Sequence, residues 1–143
     1  MSGKIDPSVF GKWQLTQSDN FEAFMAAVGV GYLTRKAANL SKPLVTISEG
    51  GGGENTLTIK QESLVKTSEF SCELGVPFDE TTADGRKVKS LISLVEPNVL
   101  NHEMKGTEGG KDTVVVRTFS EDTMTCVCKV DDIESTRIYT RQT

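Results

Sequence analysis

The sequence predicts an all-β protein, a ten-stranded antiparallel up-and-down β-barrel capped by a helix-turn-helix. Strand-like patterns recur about every ten residues, separated by turns rich in glycine, proline, asparagine and aspartate. The connections are only about two to six residues long, whereas parallel strands need long crossovers. Because an open sheet of this size would leave exposed edges, closure into a barrel is favoured. A β-sandwich is the alternative architecture.

The only helical period follows the first strand pattern. Apolar residues recur there at i, i+3, i+4 and i+7, at Phe21, Phe24, Met25 and Val28. Asp19, followed three residues later by Glu22, predicts a cap at the start of this helix. A glycine-containing break at 29–31 precedes a second short helix over Tyr32–Leu40, which Pro43 closes. The helical cap is therefore expected over about residues 20–41 of a single domain spanning residues 1–143.

The strand patterns also indicate a hollow barrel. Aromatic residues make up 6% of the chain, and several strands alternate apolar with polar residues on both faces, which suits a cavity better than a filled core. The ten predicted strands are Gly11–Thr16, Leu44–Ser48, Thr56–Gln61, Thr67–Glu73, a short one near Phe78, Lys87–Leu94, Val99–Lys105, Thr113–Phe119, Thr123–Val130 and Ser135–Arg141.

Composition narrows the class of protein. The 143 residues carry a net charge of −4 with no basic patch, so no nucleic-acid partner is expected. No apolar run approaches the roughly 18 residues of a membrane span, and the first residues lack the pattern of a secretory signal. The three cysteines lack metal-ligand spacing and suit a reducing compartment. We therefore expect a cytoplasmic monomer with no metal and no cofactor.

The last strand pattern carries the strongest functional signal. Side chains alternate along a strand, so Arg137, Tyr139 and Arg141 share one face. A further arginine, Arg117, lies in another apolar strand pattern. Two arginines and a tyrosine that face one enclosed space predict a receptor for a carboxylate, because guanidinium pairs with both carboxylate oxygens. The alternative is that Arg137 and Tyr139 lie on a solvated outer face.

Other candidate residues favour no catalytic function. His102 is the only histidine and is interpreted as a strand residue near a loop, without a nucleophile arranged beside it. Asp79 and Glu80 are adjacent in a strand, so their carboxylates face opposite ways. The glycines at 50–53 lack the residues of a phosphate loop and predict a flexible hairpin tip. An enzyme is therefore not expected.

Four separated segments resemble the intracellular fatty-acid-binding protein family, the cytosolic lipid-binding proteins of the calycin group. The resemblance spans nearly the whole chain, and the segments occur in the order typical of that family. They are GKWQL with SDNFEAF at 11–24, VGVGYLTRK at 28–36 followed by Lys42-Pro43, LGVPFDETTADGRKVKS at 74–90, and Thr136-Arg137-Ile138-Tyr139.

The resemblance implies a carrier that holds one long-chain fatty acid inside the barrel, its carboxylate bound by Arg117, Arg137 and Tyr139. Arg117 often acts through water in this family. Retinoic acid is the alternative ligand, since its binders use the same three residue types, whereas retinol binders carry glutamines at the arginine positions. By position, the residues implied to line the cavity or its mouth are Phe21, Met25, Val30, Ala38, Pro43, Val65, Asp84 and Cys128.

The chain also departs from the family pattern. It is about ten residues longer than typical members, with the extra residues at Gly50–Asn55 and Gly106–Asp112, where hairpin tips are predicted and insertions are tolerated. Val65 replaces a phenylalanine common at the mouth of the cavity. Ala26 stands where some members carry a basic residue, so we expect at most transient contact with membranes.

Overall fold

The computed structural model describes residues 4–53, 55–64 and 66–143. Ten antiparallel strands form one sheet in the order β4-β3-β2-β1-β10-β9-β8-β7-β6-β5. The strands are β1 Gly11–Asp19, β2 Leu44–Glu49, β3 Thr56–Glu62, β4 Thr67–Glu73, β5 Phe78–Thr81, β6 Lys87–Glu96, β7 Val99–Gly106, β8 Thr113–Phe119, β9 Thr123–Val130 and β10 Ile133–Gln142. Two helices, α1 Phe21–Ala27 and α2 Tyr32–Leu40, lie between β1 and β2.

Pairing of the first strand with the last makes the sheet a nearly closed barrel. β1 pairs with β2 on one side and with β10 on the other, so all ten strands belong to one continuous sheet. Its two edges are β4 and β5. The aromatic rings of Phe70 on β4 and Phe78 on β5 stack with centroids 5.2 Å apart and so join these edges through side chains. The barrel prediction is therefore confirmed over the sandwich.

The structure corrects the predicted helix cap. Asp19 is the last residue of β1, and the residue that precedes α1 is Asn20, which has a left-handed backbone (φ 61°) and no side-chain capping bond. The Asn20 amide instead donates to the carbonyl of Glu134. Glu22 binds α2: its carboxylate lies 3.3 Å from Arg35 Nε. Glu22 thus makes a contact between the two helices, and Asp19 and Glu22 do not form a capping box.

One end of the barrel is closed by a buried tryptophan. Trp13 on β1 is fully buried and meets Phe119 edge to face, with ring centroids 5.5 Å apart. The Arg141 guanidinium lies 4.1 Å from the centre of the Trp13 ring. Arg141 also donates to the carbonyls of Ser8, Phe10 and Glu121, which ties the N-terminal segment to the final strand. The cavity lies toward the other end, where β1 leads into α1 and both helices contribute lining residues.

The two segments predicted as hairpin tips connect successive strands, except that Gly106 belongs to β7. Residues 50–55 connect β2 to β3, and residues 107–112 connect β7 to β8, with residue 54 outside the described part of the chain.

In the described residues, neither helix has the length and apolar character that crossing a membrane requires.

Candidate functional site

An interior cavity lies between the helices and the inner face of the barrel. The space open to the centre of a water molecule is about 210 Å³, many times the roughly 10–15 Å³ that one water needs, so an extended molecule fits. Seven of the eight residues expected at the cavity or its mouth line it, and the eighth, Val65, is outside the described residues. The seven are Phe21, Met25, Val30, Ala38, Pro43, Asp84 and Cys128.

Strand register places both arginines in one row of the inner wall. Cys126 on β9 is opposite Arg117 on β8 and opposite Arg137 on β10. All three line the cavity, together with Tyr139 two residues farther along β10. The burial of Arg137 and Tyr139 excludes the solvated-face alternative. The structure therefore brings together the three residues predicted to form a carboxylate receptor.

Arg137 is a buried cation held by neutral groups. It is 6% exposed, and its Nη1 donates to Ser18 Oγ at 3.0 Å. Its Nε lies 3.5 Å from the Tyr139 phenol oxygen, and its guanidinium carbon lies 3.6 Å from the centre of the Phe21 ring. No carboxylate among the described residues pairs with it. The site around Arg137 therefore carries an uncompensated positive charge.

The phenol of Tyr139 is a hydrogen-bond donor at physiological pH. Burial raises its pKa, and the positive charge of Arg137 only partly opposes that effect. The hydroxyl therefore keeps its proton and can donate it to an anion bound at Arg137.

Arg117, by contrast, belongs to a chain of charge-neutralising contacts. Its Nη1 lies 3.0 Å from His102 Nδ1, and His102 Nε2 lies 2.9 Å from Glu80 Oε1. Because guanidinium can only donate, Nδ1 must accept, so the imidazole is neutral and its Nε2–H donates to Glu80. Ser90 Oγ also donates to Glu80 Oε1, at 2.7 Å. The charge of Arg117 is thus balanced through His102 by Glu80.

The pKa directions of the two titrating groups agree with this geometry. Burial lowers the pKa of His102, and the nearby Arg117 lowers it further against the opposing pull of Glu80. Burial alone would raise the pKa of Glu80, but hydrogen bonds from His102 and Ser90 and the charge of Arg117 lower it overall. The hydrogen-bonded series therefore consists of the Arg117 cation, the neutral imidazole of His102 and the Glu80 anion.

The interpretation of His102 as a strand residue is confirmed, but it lies in the middle of β7 and is 1% exposed, so its placement near a loop is wrong. The opposite orientation of Asp79 and Glu80 is confirmed: Asp79 is exposed and pairs with Lys89, whereas Glu80 lines the cavity. Alternation along β7, with Leu100, His102 and Met104 all buried, is the signal that places His102 inside.

The cysteines in the inner wall are protonated thiols. Burial raises the pKa of Cys126 to about 12, despite the nearby arginines, and burial also raises the pKa of Cys128. A thiol is a poor nucleophile compared with a thiolate. The site as a whole favours binding over covalent chemistry.

At the rim of the cavity, Asp84 and Arg86 form an ion pair, with 2.6 Å between Oδ2 and Nε. Thr82 Oγ1 donates to the same carboxylate at 2.8 Å. Burial would raise the pKa of Asp84, but the hydrogen bonds from Arg86 and Thr82 lower it overall. This pair is balanced and leaves the charge on Arg137 unmatched.

Known proteins resemble this chain along almost its whole length. A model of the lipocalin / cytosolic fatty-acid binding protein family matches residues 10–142. The adipocyte fatty acid-binding protein of Pygoscelis papua is 43% identical over 131 residues, which cover 92% of this chain and 95% of the relative. Fatty acid-binding protein 9 of Homo sapiens is also 43% identical, over 129 residues that cover 90% of this chain and 93% of the relative.

Solved structures show the same architecture. A Schistosoma mansoni fatty acid binding protein in complex with arachidonic acid superposes with a TM-score of 0.90 at 34% identity, over 99% of this chain and 100% of that one. Fatty-acid-binding protein 1 of Echinococcus granulosus superposes with a TM-score of 0.88 at 33% identity, over 96% and 100% of the two chains. The family match, the identities and the barrel with its two helices together show that this chain belongs to the lipocalin / cytosolic fatty-acid binding protein family.

Proposed function

We propose that this protein is a cytoplasmic carrier that binds one long-chain fatty acid inside the barrel. In this proposal Arg137 and Tyr139 contact the carboxylate directly, and Arg117 contributes from β8, on the other side of β9, directly or through water. The ligand is a hydrophobic monocarboxylate, with retinoic acid as the comparison ligand.

The observation that carries the proposal is the charge balance of the cavity. Arg117 is balanced by Glu80 through His102, and Arg86 is balanced by Asp84. Lys66 also lines the cavity but is exposed, so Arg137 is the buried cation that lacks a counter-charge among the described residues. Burying an unpaired charge is costly, and a bound anion would remove that cost. A single carboxylate supplies one negative charge and accepts from both Arg137 and Tyr139.

The apolar part of the cavity supports a long hydrocarbon chain. Apolar residues form much of the rest of the wall, including Phe24, Met25, Val45, Ile59 and Met124. Each buried methylene contributes about 0.8 kcal/mol, so a sixteen-carbon chain gains on the order of 10 kcal/mol before the cost of immobilisation. In this account the hydrocarbon chain of the ligand supplies most of the affinity, and its carboxylate head group sets the orientation in which it binds.

The same account makes the protein a single-domain monomer that works without a cofactor and is not an enzyme. His102, the residue best suited to acid-base chemistry, is occupied on both nitrogens by Glu80 and Arg117. Contact with membranes is at most transient, and nucleic acid is not a partner. Incubation with acyl-CoA should give no turnover above that of a buffer control.

The test of the proposal is the substitution Arg137→Ala. Removing the counter-charge leaves a buried carboxylate unpaired, so fatty-acid affinity should fall by about 3 kcal/mol, on the order of a hundredfold. Affinity is measured by displacement of a neutral fluorescent probe, whose own binding reports that the cavity is intact. Retained probe binding with less than a threefold loss for the fatty acid would show that Arg137 is not the anchor.

A further inference from the structure

An unpaired hydroxyl lies in the cavity wall at the end of α2. Ser41 is 5% exposed and lines the cavity, and its Oγ has no hydrogen-bond partner among the described residues. Its backbone N–H ends the helix by donating to the carbonyls of Ala37 and Ala38, a role that does not use the side chain. Buried hydroxyls are normally hydrogen-bonded, so this one indicates a partner that the chain itself does not supply.

We infer that Ser41 binds an oxygen atom on the hydrocarbon chain of the ligand, so that the cavity favours fatty acids hydroxylated away from the carboxylate. This inference rests on the proposed function, because it takes the carboxylate to be at Arg137. It adds a second polar contact for the same ligand and so narrows the class of fatty acid.

The position of Ser41 separates it from the site of the head group. Ser41 precedes β2, and β2 is separated from the β10 strand of Arg137 by β1. Two strand spacings amount to roughly 10 Å across the sheet. A carboxylate bound by Arg137 and Tyr139 on β10 has its own partners there, whereas the hydrocarbon chain of the same ligand runs on through the cavity that Ser41 lines.

The surroundings of Ser41 select a neutral oxygen over a charged one. The cavity-lining residues beside it in sequence are apolar, Ala38 on α2 and Pro43 just before β2. Gln61, which also lines the cavity, lies opposite Val45 on the neighbouring strand and adds an uncharged amide. Of the two cations on the same helix, Arg35 is paired with Glu22 and Lys36 lies over the Tyr32 ring, and neither lines the cavity. A charged substituent would be buried without a counter-charge, whereas a hydroxyl needs only a neutral partner.

The cavity is expected to discriminate between plain and hydroxylated fatty acids because the Ser41 hydroxyl has no partner within the described residues. An unsubstituted chain places methylene groups against Ser41 and leaves its hydroxyl buried without a partner. A hydroxylated chain pairs the two groups and removes both penalties. Sites built to hydrogen-bond a ligand hydroxyl reject the analogue that lacks it for this reason.

The test compares three acids in two proteins. Hexadecanoic acid and its derivatives hydroxylated at mid-chain and on the terminal carbon displace a neutral fluorescent probe from the wild-type protein and from Ser41→Ala. For at least one derivative, the affinity ratio of hydroxylated to plain acid should fall about tenfold or more in Ser41→Ala, which corresponds to ~1.4 kcal/mol. Part of the change should come from tighter binding of the plain acid by Ser41→Ala.

The matched control is Ser135→Ala. Ser135 is also fully buried, but its Oγ donates to the carbonyl of Asp19 and it does not line the cavity. This variant should keep the wild-type ratio for all three acids.

The inference would be overturned if, for both derivatives, the affinity ratio of hydroxylated to plain acid were the same in the wild-type protein and in Ser41→Ala. If the plain acid then still binds and still depends on Arg137, the proposed function stands without it. Failure of every acid to displace the probe, or indifference of all three to Arg137→Ala, would instead overturn the proposed function together with the inference.

Discussion

At the scale of single residues, the neutral state of His102 depends on its two partners. A proton on Nδ1 would place a charged imidazole against the Arg117 guanidinium, whose nearest nitrogen is 3.0 Å away. Burial and Arg117 therefore keep the folded-state pKa of His102 below its ordinary value of 6.5. In the unfolded chain the same imidazole titrates normally. The folded protein thus binds fewer protons than the unfolded chain just below pH 6.5.

This difference predicts a loss of stability on mild acidification. Because the folded pKa is depressed, the contribution of His102 is fully present above pH 6.5 and is lost as the pH falls below it. The slope of the unfolding free energy approaches about 1.4 kcal/mol per pH unit for one proton. His102→Gln, which cannot titrate, should flatten the curve in that window. The free energy of unfolding is measured with urea for the wild-type protein and His102→Gln, one pH unit above and one below 6.5. If both proteins lose the same free energy of unfolding between these two pH values, the neutral state assigned to His102 is contradicted.

At the scale of elements, contacts between the two helices hold the cover of the cavity together. Glu22 on α1 accepts from Asn39 at 3.2 Å and lies 3.3 Å from Arg35 Nε, both on α2. Arg35 Nη1 also donates to the carbonyl of Val30 between the helices, at 2.6 Å. Exit of a ligand past the helices requires these contacts to loosen.

Glu22→Gln should therefore speed ligand release. The pair is partly exposed, so its loss is worth only a few tenths of a kcal/mol up to about 1 kcal/mol, and the release rate should rise roughly two- to fivefold. Stopped-flow transfer to an acceptor measures the rate. The matched control is Asp131→Asn, which breaks the exposed pair with Lys111, a contact that involves neither helix, and should leave release unchanged. If Glu22→Gln releases ligand at the wild-type rate, the ligand does not leave past the two helices.

The closed end of the barrel depends on a glycine at the start of β1. Gly11 has φ +145°, and a Cβ there would lie 2.5 Å from Nη1 of Arg141, which three backbone carbonyls hold in place. Gly11→Ala should lower the free energy of unfolding by about 1–3 kcal/mol. Gly51→Ala, in open space in a hairpin tip, is the control and should change stability little. Equal urea midpoints for the two variants would contradict the packing described for this end.

At the scale of the whole molecule, periodicity was enough to predict the architecture but not its long-range contacts. The predicted first strand, Gly11–Thr16, stops three residues short of the observed end because a bulge between Leu15 and Gln17 interrupts the alternation. Alternation along β10 predicted that Arg137 and Tyr139 share a face, and the structure shows that this face is the inner one. Local pattern cannot reveal that Glu80, His102 and Arg117 meet, since they come from three strands whose register only the folded barrel defines.

The central claim is that the carboxylate of the ligand is held inside the barrel. The most direct test is whether removing the two arginines shifts the preference of the protein from a fatty acid to the corresponding fatty alcohol. Replacing both Arg117 and Arg137 with glutamine removes the cations while keeping hydrogen-bond donors. A buried carboxylate then lacks a counter-charge, whereas a fatty alcohol of equal length needs only neutral partners. Displacement of a neutral probe by the acid and by the alcohol, in both proteins, should show the ratio shifting toward the alcohol by at least ~2 kcal/mol, roughly thirtyfold. An unchanged ratio would mean that the carboxylate lies elsewhere.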